Sequence, residues 1–365
     1  MKDGLNPAAI DRILHSFSTS GSGFDAAGFR KRALAGLDQL ELKQRVEHIT
    51  NALTHSLPTA WADALPLVLR AGSQFPPGQP GDSLAGFAAW PVIQWVPRAG
   101  LAHPGDALDA LRQLTVLFTA EFALRPFLCQ FPELTLERLR IWAGDPDWRV
   151  RRLVSEGSRP RLPWGERLRE LQRDPSPMLP LLERLHDDPE DNVRRSVANH
   201  LNDISKDHPG LAVELCRQWY TQSGETSLKR HALRSLIKAG DRSALALVGV
   251  GAALDVRLVT FSLDTPRIRL GEALEFSFTL EGQDQELELD YALIFPGSRG
   301  QERRKVFKLS RGHLSKGRSR SWQRSHPLKS ITTRRYYPGP CSLELILNGS
   351  VVHRVGFQLE IPELA

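Results

Sequence analysis

Apolar residues recur at helical spacing along roughly the first 250 positions, and then the period drops to two. Pro7 to Phe17 reads as a short helix, followed by a flexible Ser/Gly stretch, Ser18 to Gly23. Phe29, Ala33 and Leu37, then Leu42, Val46, Ile49 and Leu53, predict a helix pair that begins behind an N-cap at Asp25. Trp61 to Leu69 is a further helix, Gly72 to Ser83 a Gly/Pro-rich loop, and Phe87 to Val96 a segment with Pro91 at a helix start or kink. Asp106 is expected to cap an amphipathic helix running through Leu108, Leu111, Thr115, Phe118 and Phe122, which Arg125-Pro126 ends or bends. Helices are then expected over 135–143, 163–173, 178–186, 193–204, 209–222, 227–239 and 241–250.

Beyond Asp255 the pattern alternates: Phe276 and Phe278; Leu287, Leu289 and Tyr291; Val306 and Leu309; Leu343, Leu345 and Leu347. Asn348-Gly349 is a hairpin turn signal, and Tyr336-Tyr337-Pro338-Gly339 resembles a tyrosine corner. The expected fold is therefore mainly α: a HEAT-like helical-repeat solenoid over residues 1–252, then a C-terminal immunoglobulin-like β-sandwich over 253–365.

The helical part contains an internal repeat. Asp145-Pro146, Val150-Arg151-Arg152 and Val154 return in register as Asp188-Pro189, Val193-Arg194-Arg195 and Val197, with a fainter copy at Leu228 to Ala232. The spacings, about forty and about thirty-five residues, are the span of a two-helix repeat. Asp145, Asp188, Arg151 and Arg194 take positions that in such repeats form structural ion-pair ladders. With Val150 inward and about 100° per residue, Leu153, Val154 and Gly157 share its side. Trp148, Arg152, Ser155 and Arg159 fall opposite, with Glu156 beside them. The second copy places Arg195 and Asn199 there, with Asp203 one turn on; the third places Arg230 and Arg234. Glu121, thirty-five residues before Glu156, is expected on the outward side of the preceding helix. An outward carboxylate is ordinarily just solvated, so these positions are candidates by their alignment only. An outward tryptophan such as Trp148 is expected to stack on protein or ligand.

Composition adds direction. The formal net charge is +6, and from Arg299 to Arg335 thirteen Lys/Arg face one acidic residue, Glu302. That run, with Arg303, Arg304, Lys305, Arg318 and Arg320, alternates with apolar residues and so belongs to strands and their loops, where it suits a row of phosphates. Cys129, Cys216 and Cys341 lie far apart without a C-x-x-C, which favours a reducing compartment over disulfides or a zinc site. No membrane-length apolar run, signal-peptide layout, nucleotide-binding glycine motif, H-E-x-x-H or G-x-S-x-G is present. No cofactor is expected. His200 falls on the core side of its helix and reads as a packed histidine.

Several segments carry a specific resemblance: Asn6-Pro7, Phe24 to Phe29, Trp142 to Gly165 with its Ser155-Glu156-Gly157-Ser158-Arg159-Pro160-Arg161-Leu162-Pro163-Trp164, and Asn192 to Asp203. In these the chain resembles the AlkC family of bacterial DNA alkylation-repair glycosylases, related to AlkD, in the form with a C-terminal Ig-like domain. The resemblance implies excision of cationic N3-methylated bases, 3-methyladenine and 3-methylcytosine, from alkylated double-stranded DNA without base flipping. It implies Glu121, Glu156 and Asp203 as the acidic group near the lesion, and Trp148 and Trp164 near the deoxyribose or backbone. Basic residues, among them Arg152, Arg159, Arg161, Arg195 and Arg230, would hold a bent duplex, with the Ig-like domain gripping it from the other side. A monofunctional, monomeric, cytoplasmic enzyme is expected. The alternatives are a non-catalytic DNA-binding scaffold, which leaves the carboxylates without purpose, and a protein-interaction solenoid, which steep salt dependence of DNA binding would exclude.

Overall fold

A computed structural model describes residues 1–18, 22–77, 81–220, 226–251, 256–299, 301–330 and 335–361. The chain forms two compact units, Met1–Asp207 and His208–Ala365. The expected boundary at 252/253 lies outside the described residues, as do the middle of the Ser/Gly stretch and part of the 72–83 loop.

The first unit is helical: α1 (Pro7–Ser18), α2 (Ala26–Leu34), α3 (Leu42–Thr54), α4 (Trp61–Ser73), α5 (Trp90–Gly100), α6 (Pro104–Leu114), α7 (Arg125–Gln130), α8 (Pro132–Trp142), α9 (Trp148–Gly157), α10 (Arg169–Arg173), α11 (Leu179–Leu185) and α12 (Asp191–Ile204). Asp25 caps α2 as expected, accepting from the Gly28 amide at 2.9 Å. Gly72 is helical rather than in the loop; a Cβ there would meet Leu114 at 2.5 Å, so α4 and α6 pack closely at that point.

Four sequence expectations are corrected. α6 starts at Pro104 behind His103, not at an Asp106 cap, because proline suits the first helical turn, which needs no amide donor. It ends at Leu114, so Phe118, Glu121 and Phe122 lie in turns rather than on that helix. Arg125-Pro126 opens α7 instead of closing its predecessor. The expected helix over 163–173 shrinks to α10, leaving a loop from Ser158 to Leu168.

The repeat is built by its aspartates. Asp145 accepts from the Asp147 amide and Asp188 from the Glu190 amide, both at 2.9 Å, so each Asp-Pro forms a side-chain turn leading into a helix. The ladder is present: Arg112 Nε donates to Asp145 at 2.7 Å, and Arg151 grips Asp188 through two nitrogens at 2.6 and 2.9 Å. Arg151 and Arg194 also donate back to the Asp145 and Asp188 carbonyls.

The second unit begins with α13 (Pro209–Tyr220), α14 (Thr226–Ala232), α15 (Arg234–Ala239) and α16 (Arg242–Leu247). The strands are β1 (Arg257–Leu263), β2 (Arg267–Arg269), β3 (Ala273–Glu281), β4 (Gln285–Pro296), β5 (Glu302–Leu314), β6 (Ser319–Pro327), β7 (Gly339–Leu347) and β8 (Ser350–Glu360). They form a three-stranded sheet, β1-β3-β6, and a five-stranded sheet, β2-β8-β7-β4-β5, antiparallel except for β2 with β8. Phe276, Phe278, Leu287, Leu289, Tyr291, Leu343, Leu345 and Leu347 fill the core between them, as the alternation predicts. Asn348 and Gly349 take positive φ in the β7–β8 hairpin, and Asn348 ties the turn to the Glu288 amide at 2.8 Å. β4 is buried on both faces, because α14 and α15 lie over the side opposite the core.

Candidate active site

Glu121, Glu156 and Asp203 meet in the first unit as one chain of alternating charge. Arg152 lies between Glu121 and Glu156, at 3.4 and 3.5 Å. Arg159 lies between Glu156 and Asp203, at 2.6 and 2.9 Å. Lys206 closes the far end on Asp203 at 3.1 Å. The helical wheel put Ser155, Glu156 and Arg159 opposite the core, but that side is not wet: Glu156 is 5% exposed and Asp203 1%. α12 covers it, with Ser155 Oγ on Ser196 Oγ at 2.7 Å and the His200 ring on the Ser155 carbonyl at 2.9 Å. His200 is packed, as expected, and its burial lowers it to about 4, so it is neutral.

The electrostatics divide the three carboxylates. Burial pushes Glu121 above the ordinary carboxylate value, the Glu156 charge adds to this, and Arg152 and Thr119 only partly offset it. Burial works against the Arg159 charge too, but Glu156 and Asp203 outweigh it and hold the guanidinium more firmly protonated than usual. A cleft of 290 Å³ is lined by the edges of Glu121 and Glu156 together with Phe87, Trp90, Phe118, Phe122 and Trp164. Asp203 does not line it; it sits behind Arg159. Aromatic faces around ionised carboxylates form a wall that attracts cations, both by charge and by the ring quadrupole. The aromatic rings hold one another: Trp90 stacks on Phe122 at 5.1 Å and on Phe118 at 5.5 Å.

Trp164 projects from the Ser158–Leu168 loop, 58% exposed, with φ at 64°. It stands between this cleft and a second one of 270 Å³ that also contains Lys43, Gln94 and Glu166. Lys43 Nζ donates to the Trp164 carbonyl at 2.5 Å. A left-handed backbone costs a non-glycine residue on the order of 1–3 kcal/mol. We therefore expect Trp164→Gly to exceed Trp164→Ala in stability by about 1 kcal/mol, since both lose the ring and only glycine loses the strain. Urea unfolding of the two variants checks this.

Arg125 holds that loop in place and was invisible as a functional residue in the sequence. It is 1% exposed and donates to the Gly157 and Arg159 carbonyls, both at 2.9 Å, and to the Glu166 carbonyl through two nitrogens, Nε at 2.6 Å. It makes no ion pair among the described residues, and burial drives it down to about 10. The pairing Arg125-Pro126 reads only as a helix boundary; the sequence signal, if any, was an arginine flanked by apolar residues on both sides.

The other expected contact residues are distributed. Trp148 is half-buried under the Arg149 guanidinium, in a cleft shared with Arg152. Arg161 is bound by Asp207 and Arg195 by Asp191. Arg230 belongs to the second unit and is spent on Glu288 at 2.8 Å and the Val248 carbonyl, which corrects its reading as an outward contact. The basic run does not form one row, because strand pleating sends neighbours to opposite faces. Arg304 pairs with Glu344, while Lys305 lies over Phe307 and Arg320 over Trp322; Arg303 and Arg318 are exposed.

Comparison with known proteins agrees with this architecture. Residues 257–361 match the family model described as "Uncharacterised protein YhaZ, C-terminal Ig-like domain". The uncharacterized protein YhaZ of Bacillus subtilis is 37% identical, over 98% of this chain and 99% of that protein. The Pseudomonas fluorescens alkylpurine DNA glycosylase AlkC, solved bound to DNA containing an abasic site analog, is 36% identical with a TM-score of 0.89, over 98% of this chain and 99% of that one. The helical part followed by an Ig-like sandwich is thus shared with the Pseudomonas fluorescens DNA glycosylase over nearly the whole of both chains. The chain belongs to the AlkC family, in the form that carries the C-terminal Ig-like domain.

Proposed function

We propose that this protein is a DNA glycosylase that releases cationic N3-methylated bases, 3-methyladenine and 3-methylcytosine, from alkylated duplex DNA. The observation that carries the reading is the pairing of Glu121 and Glu156 on one aromatic-walled cleft. A base methylated at N3 is positively charged, so its glycosidic bond is already weakened. The bond breaks heterolytically, and both electrons leave with the base and neutralise it. The sugar is left oxocarbenium-like, and a water oxygen then bonds to C1′.

The two carboxylates suit different tasks. Glu156, held by Arg152 and Arg159, is a fixed anion that stabilises the developing sugar cation. Glu121, with its raised proton affinity, is the better acceptor for the proton of the attacking water. Asp203 acts through Arg159 and fixes where Glu156 points. Neutral lesions, which need protonation of the leaving base, are poor substrates on this reading. The openness of the cleft supports attack on a base that stays in the stack, since a flipped base requires an enclosing pocket. Among the described residues no lysine lines the cleft, which supports simple hydrolysis over a lyase step through an imine.

The test is release of free 3-methyladenine and 3-methylcytosine from methylated duplex by the full-length protein. No release, or a strand nick without added base or heat, overturns the assignment. The pH dependence is a second check. Glu121 must be ionised to accept a proton, and burial raises its pKa above the ordinary carboxylate value. Activity is therefore lost on acidification at a higher pH than an ordinary glutamate would give. Glu121→Gln should lower the plateau and abolish that acid limb. An unchanged limb in the variant assigns it to another group.

A further inference from the structure

The second unit contains a larger cleft, 610 Å³, between α14–α15 and the outer face of β4–β5. Its floor holds two carboxylates, Glu288 and Asp290, each 4% exposed. Both are accounted for: Arg230 donates to Glu288 at 2.8 Å, and Lys308 reaches both Glu288 and Asp290. Three further cations line the same cleft, Arg234, Lys238 and Arg311. Lys238 and Arg311 are exposed and make no ion pair within 4 Å among the described residues, and Lys238 is near enough to favour the Asp290 charge from the rim. The cleft thus has five permanent cations against two carboxylates. A cavity with that surplus attracts an anion.

The repeat gives the surplus a meaning. Counting along the three copies, Arg152 and Glu156 correspond to Arg195 and Asn199, with Asp203 a turn later, and to Arg230 and Arg234, with Lys238 a turn later. Where the first two copies present carboxylates, the third presents cations. The buried acids on β4 keep the cations from repelling one another out of the fold, and they leave the outermost cations available.

We infer that this cleft is a phosphodiester-binding site for the DNA backbone, in which Lys238 and Arg311 contact phosphate and Arg234 lines the wall. This rests on the reading of the protein as DNA-binding and extends it to residues outside the carboxylate site. The cleft is roomier than a single free phosphate requires, which favours a polymer's backbone as the occupant.

The experiment uses the full-length protein with Lys238→Gln and Arg311→Gln combined, and measures affinity for unmodified duplex as a function of salt. Each neutralised phosphate contributes about 0.9 to the slope of log affinity against log salt, so the double variant should lose about 1.8. At 0.1 M salt its affinity should fall on the order of ten-fold or more. A control removes the same charge from exposed helix positions elsewhere, Lys31→Gln with Arg140→Gln, and should leave the slope within about half of one contact. If the unmodified protein binds DNA with a steep slope and the Lys238/Arg311 variant keeps it, the cleft is not a phosphate site. Equal losses in both double variants show an effect of net charge and also overturn it. Perturbation of the cleft by millimolar inorganic phosphate with no change in the DNA slope assigns it to a free anion instead. A protein that binds DNA through this cleft yet releases no methylated base contradicts the proposed activity and leaves the cleft standing.

Discussion

Glu156→Gln is expected to slow release of 3-methyladenine by about 100- to 1000-fold at saturating DNA, the loss typical of one preorganised electrostatic group at a developing charge. The substitution keeps the side chain's shape and removes only its charge. Neither neighbouring cation is orphaned, because Arg159 keeps Asp203 and Arg152 keeps Glu121. The fold should therefore survive, and DNA binding should not weaken, since the change removes an anion from the surface proposed to face phosphates. Single-turnover release and duplex affinity, measured side by side, separate the effects. A full rate in the variant defeats the role given to Glu156. A normal rate with weaker binding makes it a binding residue only. The informative comparison is with Glu121→Gln, which should lose activity together with the acid limb, whereas Glu156→Gln should keep an acid limb at a much lower plateau, moved to lower pH because the Glu156 charge helps raise Glu121.

Arg125→Met is expected to lower stability by several kcal/mol. The arginine satisfies the Gly157, Arg159 and Glu166 carbonyls inside the protein, and methionine satisfies none of them. Each buried acceptor left unpaired costs about 1–3 kcal/mol. Part of that cost is offset, because burying an unpaired guanidinium is itself unfavourable, as its lowered proton affinity shows. Arg125→Lys should not rescue the fold, since an ammonium cannot present the guanidinium's fixed fork to carbonyls on both limbs of the loop. The same loop positions Arg159 and Trp164, so the residual folded protein should also release base slowly. Thermal unfolding and base release of both variants test this. A methionine variant as stable as the parent would show that the loop is held by other contacts.

These two predictions rest on different kinds of knowledge. Glu156 could be selected from the sequence, since the repeat fixes its register and the resemblance marks its surroundings. Arg125 could not. Its partners are main-chain carbonyls 32, 34 and 41 residues away, and a carbonyl has no signature in a sequence. The aromatic wall is hidden from the sequence for a related reason. Phe118 and Phe122 continue the helical spacing of α6, but that helix stops at Leu114, and the chain turns so that both rings meet Trp90. Local periodicity does not reveal where a helix gives way to a tertiary contact.

Beyond the three carboxylates that the family resemblance marks, the sequence by itself determined the change from helix to strand, the repeat and its aspartate ladder, and the hairpin at Asn348-Gly349. Those features are short-range, set by periodicity, turn chemistry and capping within a few residues. Tertiary structure alone decided that the face carrying Glu156 is dry rather than solvated, because α12 packs over it. It also decided that Asp203 stands behind Arg159 while Glu121 and Glu156 face the cleft, and that Arg230 is tied to Glu288. Burial and charge pairing depend on which distant segments come together, and those contacts raise the proton affinity of Glu121 where it lines the cleft.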